Sequence, residues 1–201
     1  MLTERFADAC AFALDLHASQ KRKGTSIPYS SHLLAVASLV LEHGGDEDQA
    51  IAALLHDTLE DQGHHFPGGP AVLRAELARR FGAPVLAIVE ACTDTQQMPK
   101  PPWRARKEAY LAHLPQAPLP VLRVSAADKL HNARSILSDY RLVGETLWER
   151  FSADREQLLW YYRGLLAAFR QAGAPAGLVS ELGFTLGLLE DLIAASRSGA
   201  A

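Results

Sequence analysis

The chain has 201 residues, of which 48% are hydrophobic and 21% charged, a composition typical of one globular domain and not of a disordered or fibrous protein. Its net charge of −3 supplies no overall field that would attract nucleic acid or an anionic membrane. No apolar run approaches the ~20 residues of a membrane span, and the first residues do not resemble a signal peptide. Alanine and leucine far outnumber valine and isoleucine, which predicts an all-α fold.

Apolar side chains recur at helical spacing along most of the chain, and glycines and prolines separate these stretches. Asp46 is placed to cap a helix, with Gln49 three residues later to complete a capping box. The pattern predicts helices over residues 3–18, 32–42, 47–61, 71–81, 83–92, 103–114, 119–138, 153–171 and 176–195, with loops at 19–26, 62–70 and 96–102. Cys10 and Cys92 lack metal-type spacing, so we expect free thiols in a reducing cytoplasm.

A His-Asp pair, His56-Asp57, lies in a predicted helix whose other face is apolar. Burying these polar groups costs free energy unless a bound ion or another partner interacts with them. Glu60 and Asp61 follow one turn later, so that four ionisable groups share one helical surface. A divalent cation would relieve the repulsion among the three carboxylates. Taken alone, the pattern is more typical of a solvated acidic helix end than of a metal site.

A second segment changes this balance. Asp128 ends the apolar run 121–127, so we expect it to be buried and to need a partner, while Lys129 at the next position points away from it. Asn132 lies one turn further on the same face, and His32 supplies another imidazole upstream. Together with the His-Asp pair, these residues offer two imidazoles and two carboxylates, a set that suits Mn²⁺, Fe²⁺ or Zn²⁺.

The order H…HD…D of these residues resembles that of the HD-domain superfamily of metal-dependent phosphohydrolases. Three segments are further similar to the hydrolase domain of RelA/SpoT-type enzymes, which degrade the alarmone (p)ppGpp. Residues 17–32 resemble H-x-G-Q-x-R-K-x-x-x-x-P-Y-x-x-H, residues 56–61 match H-D-x-x-E-D, and residues 127–134 resemble A-D-[RK]-L-x-N-x-R. The chain leaves no room for the synthetase domain of long relatives, so it is similar to a small alarmone hydrolase.

The resemblance implies a role for each residue of the site. Mn²⁺, or alternatively Fe²⁺ or Zn²⁺, would be bound by four residues with positions left for water and a phosphate oxygen: His32, His56, Asp57 and Asp128. Glu60 and Asp61 would orient or deprotonate the attacking water.

The expected substrate contacts come from basic and amide side chains. On its own, the run Lys21-Arg22-Lys23 is more typical of a solvated surface. The resemblance implies that Arg22 stacks on the purine, that Lys23 contacts nucleotide or phosphate, and that Asn132 bonds the sugar or phosphate region. The remaining candidates either approach the pyrophosphate or form surface ion pairs: Arg106, Lys107 and Arg134. We expect Tyr29 to pack under its loop.

Four positions depart from the family pattern. Ser19 replaces a glycine and Leu33 a proline, which we interpret as backbone adjustments. Gln62 stands where threonine is common, and Ser125 where lysine is frequent. These last two changes bear on the phosphate pocket and not on the metal ligands.

The sequence therefore predicts a single all-α HD-type domain over residues 1–201, with a motif-bearing core at about 6–138 and a C-terminal helical extension at about 150–196. The resemblance implies hydrolysis of the 3′-pyrophosphate of (p)ppGpp, or of its adenosine counterpart, to GDP or GTP plus pyrophosphate. Alternatives are an HD phosphohydrolase for another nucleotide or NADPH, and a non-catalytic nucleotide-binding module. The expected partner is a small nucleotide, with no nucleic-acid polymer and no membrane; whether the C-terminal helices form a homodimer stays open.

Overall fold

The computed structural model describes residues 1–95, 97 and 99–198. Throughout these residues the fold is all-α, as predicted, and contains no strand beyond an isolated bridge between Lys21 and Pro28. Gln96 and Met98 of the predicted proline-rich loop lie outside the described part. The helices are α1 (Glu4–Leu16), α2 (Ser30–Glu42), α3 (Glu47–Leu55), α4 (Gly69–Phe81), α5 (Ala83–Cys92), α6 (Trp103–His113), α7 (Leu119–Val143), α8 (Arg155–Ala172) and α9 (Ala176–Ser198).

Side chains cap the N-termini of several helices by hydrogen bonding to the backbone of the first turn. The Asp46 carboxylate accepts a hydrogen bond from the backbone N–H of Gln49 at 2.9 Å, which confirms the predicted N-cap of α3. The predicted capping box is wrong, because the buried Gln49 amide oxygen accepts from Arg123 of α7 instead. A complete box is found at α8, between Asp154 and Gln157. The Asp46 cap thus determines where α3 begins, and the hydrogen bond from Arg123 to Gln49 links the first turn of α3 to α7.

The predicted helix over 47–61 is wrong in its second half. Helix α3 ends at Leu55, and after His56 and Asp57 the chain continues as a single π-helical turn at Thr58–Gln62. Such turns insert an extra residue into a helix and frequently occur at functional sites. The backbone N–H of Asp61 still donates to the Asp57 carbonyl at 2.9 Å, so these two residues remain one turn apart although the helix does not continue as a regular α-helix.

Helix α7 lies at the centre of the fold and packs against α2, α3, α5, α8 and α9. It runs five residues beyond the predicted end at 138, to Val143, where Gly144 takes a positive φ of 59°. A 3₁₀ turn at Gly144–Arg150, not predicted from the sequence, then leads towards α8. This central position means that residues on α7 can meet side chains from several other helices.

Helix α9 is an integral part of the core. One face of it is buried, and α9 packs along α7. The buried residues of that face are Leu178, Leu182, Leu186, Leu189 and Ile193. They belong to the same hydrophobic cluster as Val36 of α2, Leu54 of α3 and Leu130 of α7. Among the described helices, none combines the length and apolar character that a membrane span requires.

Candidate active site

Three elements bring the predicted metal ligands together. His32 lies in the first turn of α2, His56 and Asp57 follow α3, and Asp128 lies midway along α7. The Nε2 atoms of His32 and His56 are 3.3 Å apart. His56 Nε2 lies 3.0 Å from Asp57 Oδ2, and His32 Nε2 lies 3.2 Å from Asp128 Oδ1. We call these four residues the ligand cluster; His32, His56 and Asp128 in it are buried.

The donor atoms of the ligand cluster suit a divalent cation. His56 Nδ1 donates to the Ala53 carbonyl at 2.7 Å, so a neutral His56 ring directs its free Nε2 lone pair into the cluster. Ligand atoms of His32, His56 and Asp57 all lie within 4.8 Å of one another, and Asp128 Oδ1 adjoins both imidazoles. Two imidazole nitrogens and two carboxylates are ligands that Mn²⁺, Fe²⁺ and Zn²⁺ accept. The residues present therefore fit the metal that the sequence predicts.

The expectation that Lys129 points away from Asp128 is wrong. Lys129 Nζ donates to Asp128 Oδ2 at 2.5 Å, because its long flexible side chain folds back over one residue and packs against the Tyr110 ring. Burial alone would raise the pKa of Asp128, but the Lys129 ammonium and the two imidazoles hold it well below its usual value. Asn132 Nδ2 also donates to Asp128, at 2.5 Å. Asp128 is thus a buried carboxylate held ionised, as a metal ligand must be.

Tyr29 contacts the ligand cluster directly and also packs against His17 of the preceding segment. Its hydroxyl donates to Asp57 Oδ2 at 2.5 Å. Its ring also stacks on His17, with centroids 5.3 Å apart. The sequence contained a signal for this contact, since Tyr29 is part of the segment at 17–32 that matches the family, but helical spacing alone could not reveal it.

The two predicted water-handling carboxylates lie beside the ligand cluster. Burial and the nearby Asp57 carboxylate raise the pKa of Asp61 to about 6. Asp61 Oδ2 accepts a hydrogen bond from Gln20 Nε2 at 2.7 Å, while Glu60 accepts one from Lys100 Nζ at the same distance. Gln20 and Lys100 were not predicted as site residues. They hold the two carboxylates in distinct electrostatic environments.

A polar pocket of about 300 Å³ opens onto Asp57, Asp128, Glu60 and Asp61. Its walls also carry five basic side chains from separate parts of the chain: Lys23, Lys100, Arg106, Lys107 and Lys129. Arg106 and Lys107 both bond Asp94, whose side chain is 10% exposed. Both predicted basic residues of α6 therefore lie in the pocket and are also ion-paired, and Asp94 is a residue that sequence reasoning missed.

An outer cleft of about 560 Å³ adjoins the polar pocket and shares Lys23, Tyr29, Asn132 and Phe151 with it. Arg22 lines the cleft, and its Nη2 donates to Asn132 Oδ1 at 2.6 Å. Apolar surface is supplied by Ile27, Ile136 and Phe151. Arg134 lines the cleft as well and pairs with Glu181 of α9 at 3.1 Å. Every predicted substrate-contact residue thus lines the pocket or the cleft.

Two of the departures from the family pattern have clear structural partners. Gln62 Nε2 donates to the Gln20 oxygen at 2.7 Å and so supports the residue that holds Asp61. Ser125 is buried and hydrogen-bonds the Tyr110 hydroxyl below the Lys129 ammonium. Both changes are accommodated by polar contacts around the site.

The comparisons with known proteins agree with this geometry. A family model described as "HD domain" matches residues 9–157. The chain is 37% identical over 132 residues to the guanosine-3′,5′-bis(diphosphate) 3′-pyrophosphohydrolase MESH1 of Xenopus tropicalis, and the match covers 64% of the chain and 68% of that protein. It is 33% identical over 132 residues to MESH1 of Homo sapiens, with the same shares covered.

A solved structure has the same fold. It is described as a metazoan ortholog of SpoT that hydrolyses ppGpp, and it superposes with a TM-score of 0.73 at 21% identity. The superposition covers 92% of this chain and 95% of that one. The family match, the fold and the arrangement of the H…HD…D residues lead to one conclusion: this chain belongs to the HD-domain family.

Proposed function

We propose that the chain is a metal-dependent pyrophosphohydrolase that removes the 3′-pyrophosphate of (p)ppGpp, or of its adenosine counterpart. The products are GDP or GTP, or the adenine equivalent, and pyrophosphate. The observation that carries the proposal is that a polar pocket, rich in both basic and acidic side chains, and a less polar outer cleft meet at the ligand cluster. The printed names of the Xenopus and human relatives support it, because they state this activity for those proteins.

The ligand cluster is proposed to bind Mn²⁺, and Fe²⁺ and Zn²⁺ are compatible with the same donors. When bound, such an ion lowers the pKa of water and stabilises the charge that develops on a phosphoryl group. The protein's part is to hold the donors in place. Tyr29 fixes Asp57, and Lys129 with Asn132 fixes Asp128.

The charge of the polar pocket supports a pyrophosphate as the group that binds there. Its five basic side chains are balanced by five carboxylates, namely Asp57, Glu60, Asp61, Asp94 and Asp128. A divalent cation would make the combined site positive, which complements a pyrophosphate anion. Arg106 and Lys107, now paired with Asp94, are proposed to donate to its oxygens.

Glu60 and Asp61 are the proposed proton-handling groups. A water molecule adds to the phosphorus on the 3′-oxygen, and that oxygen leaves as the 3′-hydroxyl. Both carboxylates line the pocket where this water would lie, and burial together with the Asp57 carboxylate brings the pKa of Asp61 to about 6, near neutral pH. One carboxylate accepts a proton from the water while the other orients it, and that proton is then delivered to the departing 3′-oxygen.

The outer cleft is proposed to hold the nucleoside. Its volume is within the range of small-ligand pockets, and its apolar walls suit a purine. Arg22 is proposed to lie flat on the base, with Lys23 and Asn132 towards the sugar and phosphates and Arg134 at the edge.

A parallel assay of several nucleotides tests this function. Purified protein is incubated with Mn²⁺ and, separately, with ppGpp, pppGpp, ppApp and NADPH, and the products are separated by ion-exchange chromatography. We expect pyrophosphate and GDP or GTP from the guanosine substrates, and loss of that release with EDTA. Turnover of NADPH alone would support the alternative substrate. Binding of ppGpp without any turnover would instead indicate a non-catalytic module.

Replacing Arg22 with lysine is expected to weaken ppGpp binding by about 1–2 kcal/mol, the scale of a desolvated cation–π contact. Lysine keeps the charge but loses the planar guanidinium that can stack on a base. The measurement is kcat/KM for ppGpp and for a ribose 3-pyrophosphate without a base. The exposed neighbour provides the control, Lys21→Ala, which removes a charge outside the cleft. Equal loss on both substrates would contradict stacking and indicate a phosphate contact.

We also propose that residues 1–201 form one HD-type domain, with the motifs at about 6–138 and the helical extension at about 150–196. A single hydrophobic cluster from Ala9 to Ile193 supports this organisation. The free thiols Cys10 and Cys92 support a reducing compartment, which we propose is the cytoplasm.

A further inference from the structure

The two imidazoles of the ligand cluster have different hydrogen-bond partners at Nδ1, the ring nitrogen that does not face the carboxylates. His56 Nδ1 bonds the Ala53 carbonyl at 2.7 Å. His32 Nδ1 instead lies 2.8 Å from the Nδ1 of His131. A carbonyl oxygen can only accept, so the backbone fixes the position of the proton on His56. The position of the proton on His32 depends on another side chain that can either donate or accept.

The contact between the two ring nitrogens permits two arrangements of neutral rings. If His32 donates from Nδ1, its Nε2 lone pair faces the other members of the ligand cluster. If His131 donates, the proton of His32 is on Nε2, which lies 3.2 Å from Asp128 Oδ1. That second arrangement satisfies Asp128 but leaves His32 without a lone pair for a cation. Only the first arrangement gives a complete ligand cluster.

We propose that His131 is a positioning residue that accepts the Nδ1–H of His32 and so keeps the Nε2 lone pair of His32 available to a divalent cation. The proposal rests on the proposed function in using His32 as a metal ligand. Hydrogen-bond partners of this kind orient metal-binding histidines in many proteins and raise their basicity. Here the partner is on α7, three residues after Asp128, so one helix carries both a ligand and the acceptor for another ligand.

Burial makes the acceptor necessary. His32 is fully buried, and His131, which lines the outer cleft, lies between its Nδ1 and that cleft, so an apolar side chain in place of His131 would leave the Nδ1–H without an acceptor. The ring would then favour the proton on Nε2, where the Asp128 carboxylate accepts it. Loss of His131 is therefore expected to weaken metal binding without removing any ligand atom.

The test compares two substitutions at this position in the full chain. His131→Asn places an amide oxygen close to the former position of Nδ1 and keeps the acceptor, whereas His131→Leu removes it. His64→Leu applies the same chemical change at an exposed histidine outside both cavities. Mn²⁺ affinity is measured by titration calorimetry after removal of metal, and the ¹⁵N chemical shifts of His32 in the metal-free proteins report which ring nitrogen is protonated.

We expect His131→Leu to bind Mn²⁺ at least about 10-fold more weakly than the parent, the usual effect of losing such a partner. We expect His131→Asn and His64→Leu to bind it close to the parent value. The shifts should place the His32 proton on Nδ1 in the parent and in His131→Asn, and on Nε2 in His131→Leu.

Parent-like affinity in His131→Leu, with the proton still on Nδ1, would overturn the proposal. If the leucine variant fails to fold by circular dichroism, the ¹⁵N shifts of His32 in the metal-free parent decide: a proton on Nδ1 supports the proposal, and a proton on Nε2 overturns it. A His32→Ala variant that retains full Mn²⁺ affinity also overturns it. Hydrolysis of ppGpp by the parent is assayed separately, so a parent that binds Mn²⁺ without turnover contradicts only the proposed function.

Discussion

Replacing Asp57 with alanine is expected to abolish both metal binding and hydrolysis. Its Oδ2 lies 3.0 Å from His56 Nε2 and 3.6 Å from His32 Nε2, so the substitution removes the carboxylate that lies between both imidazoles and the polar pocket. Two imidazoles and Asp128 would remain, with less negative charge to offset a divalent cation. Elemental analysis after dialysis against Mn²⁺, together with an assay of pyrophosphate release, measures the two effects.

Thermal unfolding provides an independent measurement of the same change. Chelation is expected to lower the Tm of the parent, because a cation that binds only the folded state stabilises it. The Tm of the Asp57→Ala variant should not respond to chelation. Asp15→Ala is the matched control, since Asp15 is an exposed carboxylate on α1. Stoichiometric metal retained by Asp57→Ala would contradict the assigned ligand set.

Replacing Glu60 with glutamine is expected to lower kcat by roughly 10²-fold or more, the scale of a general acid–base group, while metal content is unchanged. Glutamine keeps the shape of the side chain and one acceptor oxygen, which can still accept from Lys100, while its NH₂ group replaces the oxygen that accepts from the backbone N–H of Asp94. It loses the charge proposed to handle the attacking water. Single-turnover kinetics with bound metal separates this chemical step from substrate binding.

The control for this substitution is Glu42→Gln, the same change at an exposed glutamate on α2 that bonds Ser38. It should have the kinetics of the parent. A Glu60→Gln enzyme with normal kcat and a raised KM would show that Glu60 acts only through Lys100 in substrate binding. Normal values of both constants would remove Glu60 from the mechanism, leaving Asp61 as the proton acceptor.

The sequence predicts the ligand cluster well because few residue types can bind a divalent cation. His56-Asp57 and Asp128 each interrupt an apolar stretch, and such groups need a partner when the helices around them pack. The structure brings them together as expected. Helical spacing also predicts where most of the helices lie along the chain, because the helices bury apolar faces in the common core.

Other features depend on contacts between segments far apart in the chain, and spacing within one helix cannot reveal them. The position of the Lys129 ammonium over the Tyr110 ring is an example, and the sequence predicts it incorrectly. The π-helical turn at Thr58–Gln62 is also absent from the prediction, because helical spacing does not distinguish it from a continuous α-helix. The contact between His131 and His32 joins two helices and has no local signal. Local pattern therefore identifies the residues proposed as ligands, whereas tertiary packing determines how each of these side chains is oriented.

The packing of α9 along α7 has a consequence for synthesis of the chain on the ribosome. All the motif residues have been synthesised by residue 134, but the apolar face of α9 that covers α7 follows only between Leu178 and Ile193. Until that segment emerges, α7 packs against α2, α3 and α5, but the apolar side that α9 covers is exposed to water. Premature termination before α9 would therefore leave every motif residue present on a core that lacks the packing of α9 along α7.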